Sequence, residues 1–343
     1  MMLAARVARS LEEGRGGLVS SALANVWGTI ASRSLVKSLA FRGDRCVIAV
    51  GGATLGGSGK TPLAIACARE LSAQGVRVAL VGHAYRAHPL RARLVRAGDD
   101  VEVVGDEALL AARALAPFRV PVFVAPNRQA ALDLALAHAD VAILDGIAQL
   151  EPLRANLALL AVDSDRPWGA GACPPRGDLR APVVELTALS DMIVRVGKTE
   201  NAGARVIGEG AWLGARKLSW DKVRSHRVGL WTSIARPERV LADLVDAGVT
   251  PAFVVTHADH GEVGDRPRAA IARAARDRGV NLWVCTPKCA VSASRNRTLS
   301  LAGVPFATLE HEVELDAALK AVLAGVVTRW RPETPSRTPS PTR

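Results

Sequence analysis

The sequence predicts an α/β protein with a doubly wound, mainly parallel sheet and a second, smaller α/β domain. Three observations predict it. Val47–Thr61, VIAVGGATLGGSGKT, reads as a buried strand, a glycine-rich loop and the start of a helix, the layout of a phosphate-binding loop. Short apolar strands then alternate with helical patterns as far as Asp163, which calls for parallel strands joined by crossover helices. After a polar, broken stretch, a second alternating series begins at Val228. The larger domain is thus expected to be a P-loop NTPase-type sheet.

The loop explains why these residue types recur. Small residues let backbone N–H groups converge on an anion, and the following helix adds unsatisfied donors and a partial positive charge. The candidate nucleotide-binding residues are Thr54, Leu55, Gly56, Gly57, Ser58, Gly59, Lys60 and Thr61. Lys60 can reach the β- and γ-phosphates of ATP, and the Thr61 hydroxyl can ligate Mg²⁺. The match to G-x-x-x-x-G-K-[ST] is not literal, because Thr54 stands where the pattern has its first glycine.

Whole-chain properties narrow the classes. A chain of 343 residues suits about two domains of ~100–200 residues each. Net charge is +11, with Arg far outnumbering Lys. That surplus suits an anionic partner such as nucleic acid, a phosphorylated substrate or an anionic membrane face, and a general Arg bias accounts for it equally well. The 4% aromatic content speaks against base stacking, no nucleic-acid motif is present, and no nucleic-acid partner is expected. The five cysteines lack C-x-x-C spacing, which fits a reducing compartment and gives no Cys/His metal site. No 18-residue uncharged apolar run exists and the N-terminus has no clean signal peptide, so no transmembrane span is expected.

In chain order, residues 1–45 are expected to form an amphipathic N-terminal helix region. Leu18, Ala22, Val26, Ile30, Leu35 and Leu39 recur near helical spacing, with Trp27 beside them and Arg33, Lys37, Arg42 and Arg45 clustered behind. Either an interfacial helix on an anionic membrane or a helix packed on its own core satisfies this pattern. The nucleotide-binding domain is expected over 46–182. Its helix runs over Thr61–Gln74, a strand follows at Val76–Val81, and Gly82–Arg96 is basic and loop-like. Gly105-Asp106-Glu107 opens a helix, where adjacent acids suit the helix dipole by themselves. Pro121–Ala125 reads as a strand, and Asn127 caps a helix to about His138. Asp140–Gly146 is a buried strand ending in Asp145, which is either a Mg²⁺-side acid or a turn residue before Gly146. Leu157–Asp163 is another strand, and 164–182 is an irregular rim rich in Gly, Pro and Arg. A connector is expected over 183–220, a smaller α/β domain over 221–328 closing with a helix about Val313–Val327, and a disordered tail over 329–343.

Several segments, in order from about residue 18 to 310, resemble the tetraacyldisaccharide 4′-kinase family. Thr54–Thr61 with Pro62 looks like its Thr-led P-loop; Gly105-Asp106-Glu107 resembles its Gly-Asp-Glu motif; Asp145-Gly146 resembles the end of its Asp-Asp-Gly motif. Pro175–Pro182 (PRGDLRAP), Ile234–Arg239 (IARPER) and Asp259-His260 are similar to three further family segments. The resemblance implies transfer of the γ-phosphoryl of ATP, with Mg²⁺, to the 4′-hydroxyl of a lipid A disaccharide 1-phosphate. It also implies peripheral attachment of the N-terminal helix to the cytoplasmic face of the inner membrane; oligomeric state stays open. By resemblance Asp106 is the base and His260 its partner across the cleft, with Lys60 stabilising the transferring group. Thr61 and Asp145 then hold the metal, and Glu107, Arg128 and Arg180 contact substrate. Three segments depart from the family pattern: Leu144 replaces the first acid, Gly82-His83-Ala84-Tyr85 weakens a basic position to His83, and Thr286-Pro287-Lys288-Cys289 loses two acids. A weakly active or inactive paralogue, or a P-loop ATPase switch, is the competing reading. Leu55, where such switches often carry Lys, counts against the switch.

Overall fold

The computed structural model describes residues 10–14, 17–84, 87–232, 237–256, 265–290, 300–301 and 303–330. His260, Asp259, Tyr85, residues 234–236 and the tail from 331 lie outside the described residues, and the expectations placed on them lie there too.

Helix α1 (Leu18–Arg33) and the short strand β1 (Val36–Ser38) precede β2 (Cys46–Gly52), whose seven residues are all buried. The phosphate loop leads into α2 (Lys60–Ala73). Then come β3 (Val78–Val81), β4 (Arg93–Leu94), α3 (Val101–Val104), α4 (Asp106–Leu115), β5 (Val122–Val124), α5 (Arg128–His138), β6 (Val141–Asp145), β7 (Gln149–Glu151) and β8 (Leu157–Asp163). Helix α6 (Val183–Ala188), β9 (Met192–Gly197), β10 (Ala204–Leu213), β11 (Arg216–Leu218) and α7 (Trp220–Arg224) form the passage to the second unit. That unit carries β12 (Val228–Thr232), α8 (Pro237–Asp246), β13 (Phe253–Thr256), α9 (Asp265–Asp277), β14 (Leu282–Cys285) and β15 (Ser300–Leu301). The long β16 (Val304–Leu315) and α10 (Ala317–Trp330) end the described chain.

Among the described residues one continuous sheet runs β13-β12-β14-β16-β10-β9-β8-β2-β6-β3-β5-β4, with β11 on β10 and β15 on β16. β2 lies between β6 and β8, parallel to both. Helices cover both faces there. α2, α4 and α10 pack on one core, and α5 packs on the other with Val47, Ala49 and Leu144. This burial on both faces explains why β2, β6 and β8 read as unbroken apolar runs. The two units share one sheet through β10 and β16, which pair antiparallel from Ala204↔Leu315 to Trp212↔Thr308 with an irregularity at Gly208/Gly210. Gly210 takes φ +130, and a Cβ there would meet the Leu218 carbonyl at 2.3 Å, so the bulge requires glycine.

Two expected boundaries move. The helix expected from Val313 begins at Ala317, because Val313 and Leu315 continue the inward side of β16 and enter the first unit's core. Helix α10 then packs on that same core through Leu319, Leu323, Val326 and Val327, and Lys320 lies 3.5 Å from Glu70 of α2. It does not complete the second unit. Likewise Val36–Ser38 pairs with β7, and Leu39 is buried against α5, so the chain joins the first unit before residue 45. All five cysteines are buried, and burial pushes the Cys46 and Cys67 thiols up to about 12. No described helix is long and apolar enough to cross a membrane.

Candidate active site

The site forms at the carboxyl ends of β2, β6 and β3, where the sheet order reverses around β2. At the end of β2 the loop folds back so tightly that a Cβ on Gly52 would lie 2.3 Å from the Ser58 hydroxyl. Thr54 compensates for the missing glycine. Buried at the base of the loop, its hydroxyl donates to the Gly56 carbonyl at 2.6 Å and closes the turn. Gly57 and Gly59 take positive φ, and Gly59 caps α2 without a side chain, which leaves the first-turn N–H groups to the loop. Leu55 is exposed at the crest, with its N–H bonded to the Asp178 carbonyl at 2.8 Å.

Around this cradle the predicted polar residues converge. Lys60 Nζ lies 3.3 Å from the Thr61 hydroxyl and 3.3 Å from Glu107 Oε2. Thr61 donates to Asp145 Oδ2 at 2.6 Å. The other carboxylate oxygen, Asp145 Oδ1, is buried and has no hydrogen-bond partner among the described residues. Such an orphaned anionic oxygen beside a hydroxyl fits a small divalent cation, which takes few protein ligands and completes its shell with water and phosphate. Burial pushes the Asp145 carboxyl up, against the pull of Lys60. Asp106 is buried at the start of α4, and its Oδ1 accepts the Glu107 N–H at 2.9 Å. Burial works against the Glu107 charge, yet Lys60 and Lys288 outweigh it and hold Glu107 below the usual carboxylate range.

Arg128 and Arg180, which the resemblance assigns to substrate contact, bond here to backbone carbonyls around the loop. Arg128 donates to the Val81, Gly82 and Asp145 carbonyls at 3.3, 2.9 and 2.8 Å. Arg180 donates from Nε to the Thr54 carbonyl at 2.9 Å and from Nη2 to the Leu55 carbonyl at 3.4 Å. Strand ends and tight loops leave buried carbonyls that need donors, and these guanidinium groups supply them. His83 stands beside Arg128. Partial burial and that neighbour push its imidazole down to about 4, so it is neutral at pH 7 where the family motif has a basic residue. Leu144 is fully buried on the opposite face of β6, against Ala49, Val81 and Phe123.

Two residues of the site were given no role by sequence reasoning. Asp163 ends β8 just as Asp145 ends β6, and it is buried. Arg239, near the start of α8, pairs with Asp163 and donates to the Gly57 carbonyl at 3.3 Å. The signal for Asp163 was present: a seven-residue apolar strand, LALLAVD, closing on an acid.

With this geometry established, comparison with known proteins decides the family. The family model described as tetraacyldisaccharide-1-P 4′-kinase (LpxK) matches residues 18–328. The chain belongs to the tetraacyldisaccharide 4′-kinase family. The tetraacyldisaccharide 4′-kinases of Brucella suis and Brucella abortus are each 31% identical over 323 residues, covering 89% of this chain and 91% of the relative. The crystal structure of LpxK from Aquifex aeolicus, in complex with ATP, matches with a TM-score of 0.62 at 19% identity. That match covers 97% of this chain and 100% of that one, and bears out the α/β P-loop fold. The chain is thus a kinase of the tetraacyldisaccharide 4′-kinase family, and neither an ATPase switch nor an inactive paralogue is favoured.

Proposed function

We propose that this kinase transfers the γ-phosphoryl of ATP to the 4′-hydroxyl of a tetraacyldisaccharide 1-phosphate in lipid A biosynthesis. The observation that carries the reading is the convergence of Lys60, Thr61 and Asp145 on one phosphate loop, with Asp106 beside it, in a chain of this family. Loop amides and Lys60 hold the phosphates and stabilise charge on the group in flight. Asp106 accepts the proton of the sugar hydroxyl as its oxygen bonds to the γ-phosphorus and the bond to the ADP oxygen breaks. His260 assists from the second unit. Thr61 and Asp145 would hold Mg²⁺, which supplies neutralisation of the phosphate charge. Lys60 leaves its pairing with Glu107 to meet the nucleotide, and Glu107 faces the acceptor. Arg128 and Arg180 keep the loop and strand ends in shape.

The substrate is a lipid, and α1 suits a protein that meets it at a membrane face. The helix rests on the body of the protein through small residues; Gly28 sits so close to Pro182 that a Cβ would lie 3.1 Å from it. Val19, Leu23, Val26, Trp27 and Ile30 are all exposed along the other side. Arg33, Lys37 and Arg42 are exposed next to them. This supports peripheral binding at the cytoplasmic face of the inner membrane, with anionic headgroups against the basic end.

The test is transfer of labelled γ-phosphate from ATP to a lipid A disaccharide 1-phosphate in detergent. Label on the lipid, lost by about 100-fold or more in Asp106→Ala, is expected; hydrolysis indifferent to the lipid would overturn the reading. Co-sedimentation with anionic vesicles tests α1. Val26→Asp with Trp27→Asp should release the protein while leaving its melting temperature within about a degree, since exposed changes move stability by about 0.5 kcal/mol or less. Unchanged sedimentation would remove the anchor.

A further inference from the structure

Among the described residues, the second unit reaches the phosphate loop through a hydrogen bond to one peptide group. Arg239 lies in the first turn of α8. Its guanidinium spans two points on the carboxyl edge of the first unit. Nη1 donates to the Gly57 carbonyl at 3.3 Å, and Nη2 pairs with Asp163 Oδ2. Asp163 is a rigid anchor for that pair. It is the last residue of β8, its side chain is 0% exposed, and its Oδ1 accepts the N–H groups of Asp165 and Arg166 at 2.9 and 2.8 Å. Arg239 is therefore fixed at one end by a buried, charge-assisted contact and aims the other end at the loop.

The Gly57 carbonyl belongs to the same planar unit as the Ser58 N–H. In a trans peptide the two point in opposite directions. Gly57 has φ +74, a conformation that glycine adopts without strain and from which it turns easily. A donor that holds the Gly57 carbonyl outward toward α8 thus holds the Ser58 N–H inward toward the cradle. Ser58 itself is buried. We infer that Arg239 is a positioning residue that sets the Gly57–Ser58 peptide of the phosphate loop, so that seating of the second unit completes the site for the nucleotide's terminal phosphates. The inference rests on the reading of Thr54–Thr61 as a nucleotide site and adds a link to the second unit that the reading does not contain.

The experiment measures ADP binding by calorimetry on the full chain in detergent, with Arg239→Ala and Arg239→Lys beside the wild type, and lipid transfer kinetics on the same preparations. ADP probes the loop without the lipid. Arg239→Ala is expected to weaken ADP by about tenfold, the scale of one lost charged hydrogen bond, and to raise the KM for ATP similarly. The KM for the lipid should stay unchanged. Arg239→Lys keeps a cation that can reach one of the two acceptors and should recover part of the loss, which a purely structural contact would not predict. Should Arg239→Ala unfold, Arg239→Lys alone decides, because its ADP affinity must then fall below wild type. Wild-type ADP affinity in the variants would overturn the inference and leave the kinase reading standing. A wild-type protein that binds no ADP would overturn both.

Discussion

β6 and β8 flank β2 on either side, and both are apolar strands that end in a buried aspartate. Their partners separate them. Asp145 receives one hydrogen bond, from Thr61, and keeps Oδ1 buried without a partner among the described residues. Asp163 is surrounded: two backbone N–H groups hold one oxygen and Arg239 holds the other. One sequence pattern thus yields a carboxylate with one buried oxygen left over among the described residues and a carboxylate that is already satisfied. The role follows from what the neighbouring loops bring to the strand end, and the strand itself does not disclose it.

Replacing each acid by its amide should break the two sites in opposite ways. Asp145→Asn is expected to lower turnover by about 100-fold or more, equivalent to about 3 kcal/mol of transition-state stabilisation. Without Mg²⁺ it should unfold at a higher urea concentration than wild type at pH 7–8. The sign follows from the raised Asp145 carboxyl: the folded protein holds that proton more tightly than the unfolded chain, so the ionised form is a burden that grows as pH rises through the raised value. The advantage of the amide should vanish as pH falls to the ordinary carboxylate range, and Mg²⁺ should stabilise wild type alone. Asp163→Asn is expected to do the reverse. It should lose about 2–4 kcal/mol of stability in urea unfolding, with turnover at saturating ATP reduced less than tenfold. Equal effects from both amides would dissolve the distinction.

A smaller change sharpens the same comparison one residue earlier. The family motif has an acid where this chain has Leu144, which suggests that Leu144→Asp would restore a metal ligand. The structure points the other way. Side chains alternate along β6, so Ile143 and Asp145 face α2 while Leu144 faces the core under α5. An acid there would be buried without a partner, and a loss of about 3 kcal/mol or more is expected, read as a lower urea midpoint with no gain in turnover. A stable, faster variant would show that this end of β6 turns toward the site.

Much of the first unit was legible because its strands are apolar on both sides and punctuated by glycine. Leu157–Asp163 and Val228–Thr232 have the bounds expected, and the phosphate loop announces itself by composition. The gathering of the phosphate loop, Asp106 and Asp145 was also readable, since Lys60 and Asp106 open helices and Asp145 closes a strand at the same edge. What the residues could not disclose is which core an amphipathic element chooses. The stripe Leu319, Leu323, Val326, Val327 fits either unit by periodicity, and only the turn after β16 delivers it to the first. The carbonyl bonds of Arg128 and Arg180 stay hidden in the sequence for a related reason. Sequence shows a cation, while the carbonyls it must satisfy are set by chain folding.

The return of α10 to the first core has a consequence for how the molecule is made. The chain leaves the first unit through β9 and β10, builds the second, and comes back through β16. The second unit is therefore an insertion within a discontinuous first one. A ribosome releases the phosphate loop early, yet the part of the first core that Leu319–Val327 covers stays open until that helix has emerged, some 250 residues later in the numbering. Nascent chains stopped before β16 would carry the nucleotide motif without the layer that closes its core, so ATP binding should be gained only near the end of synthesis, after the inserted unit has already formed.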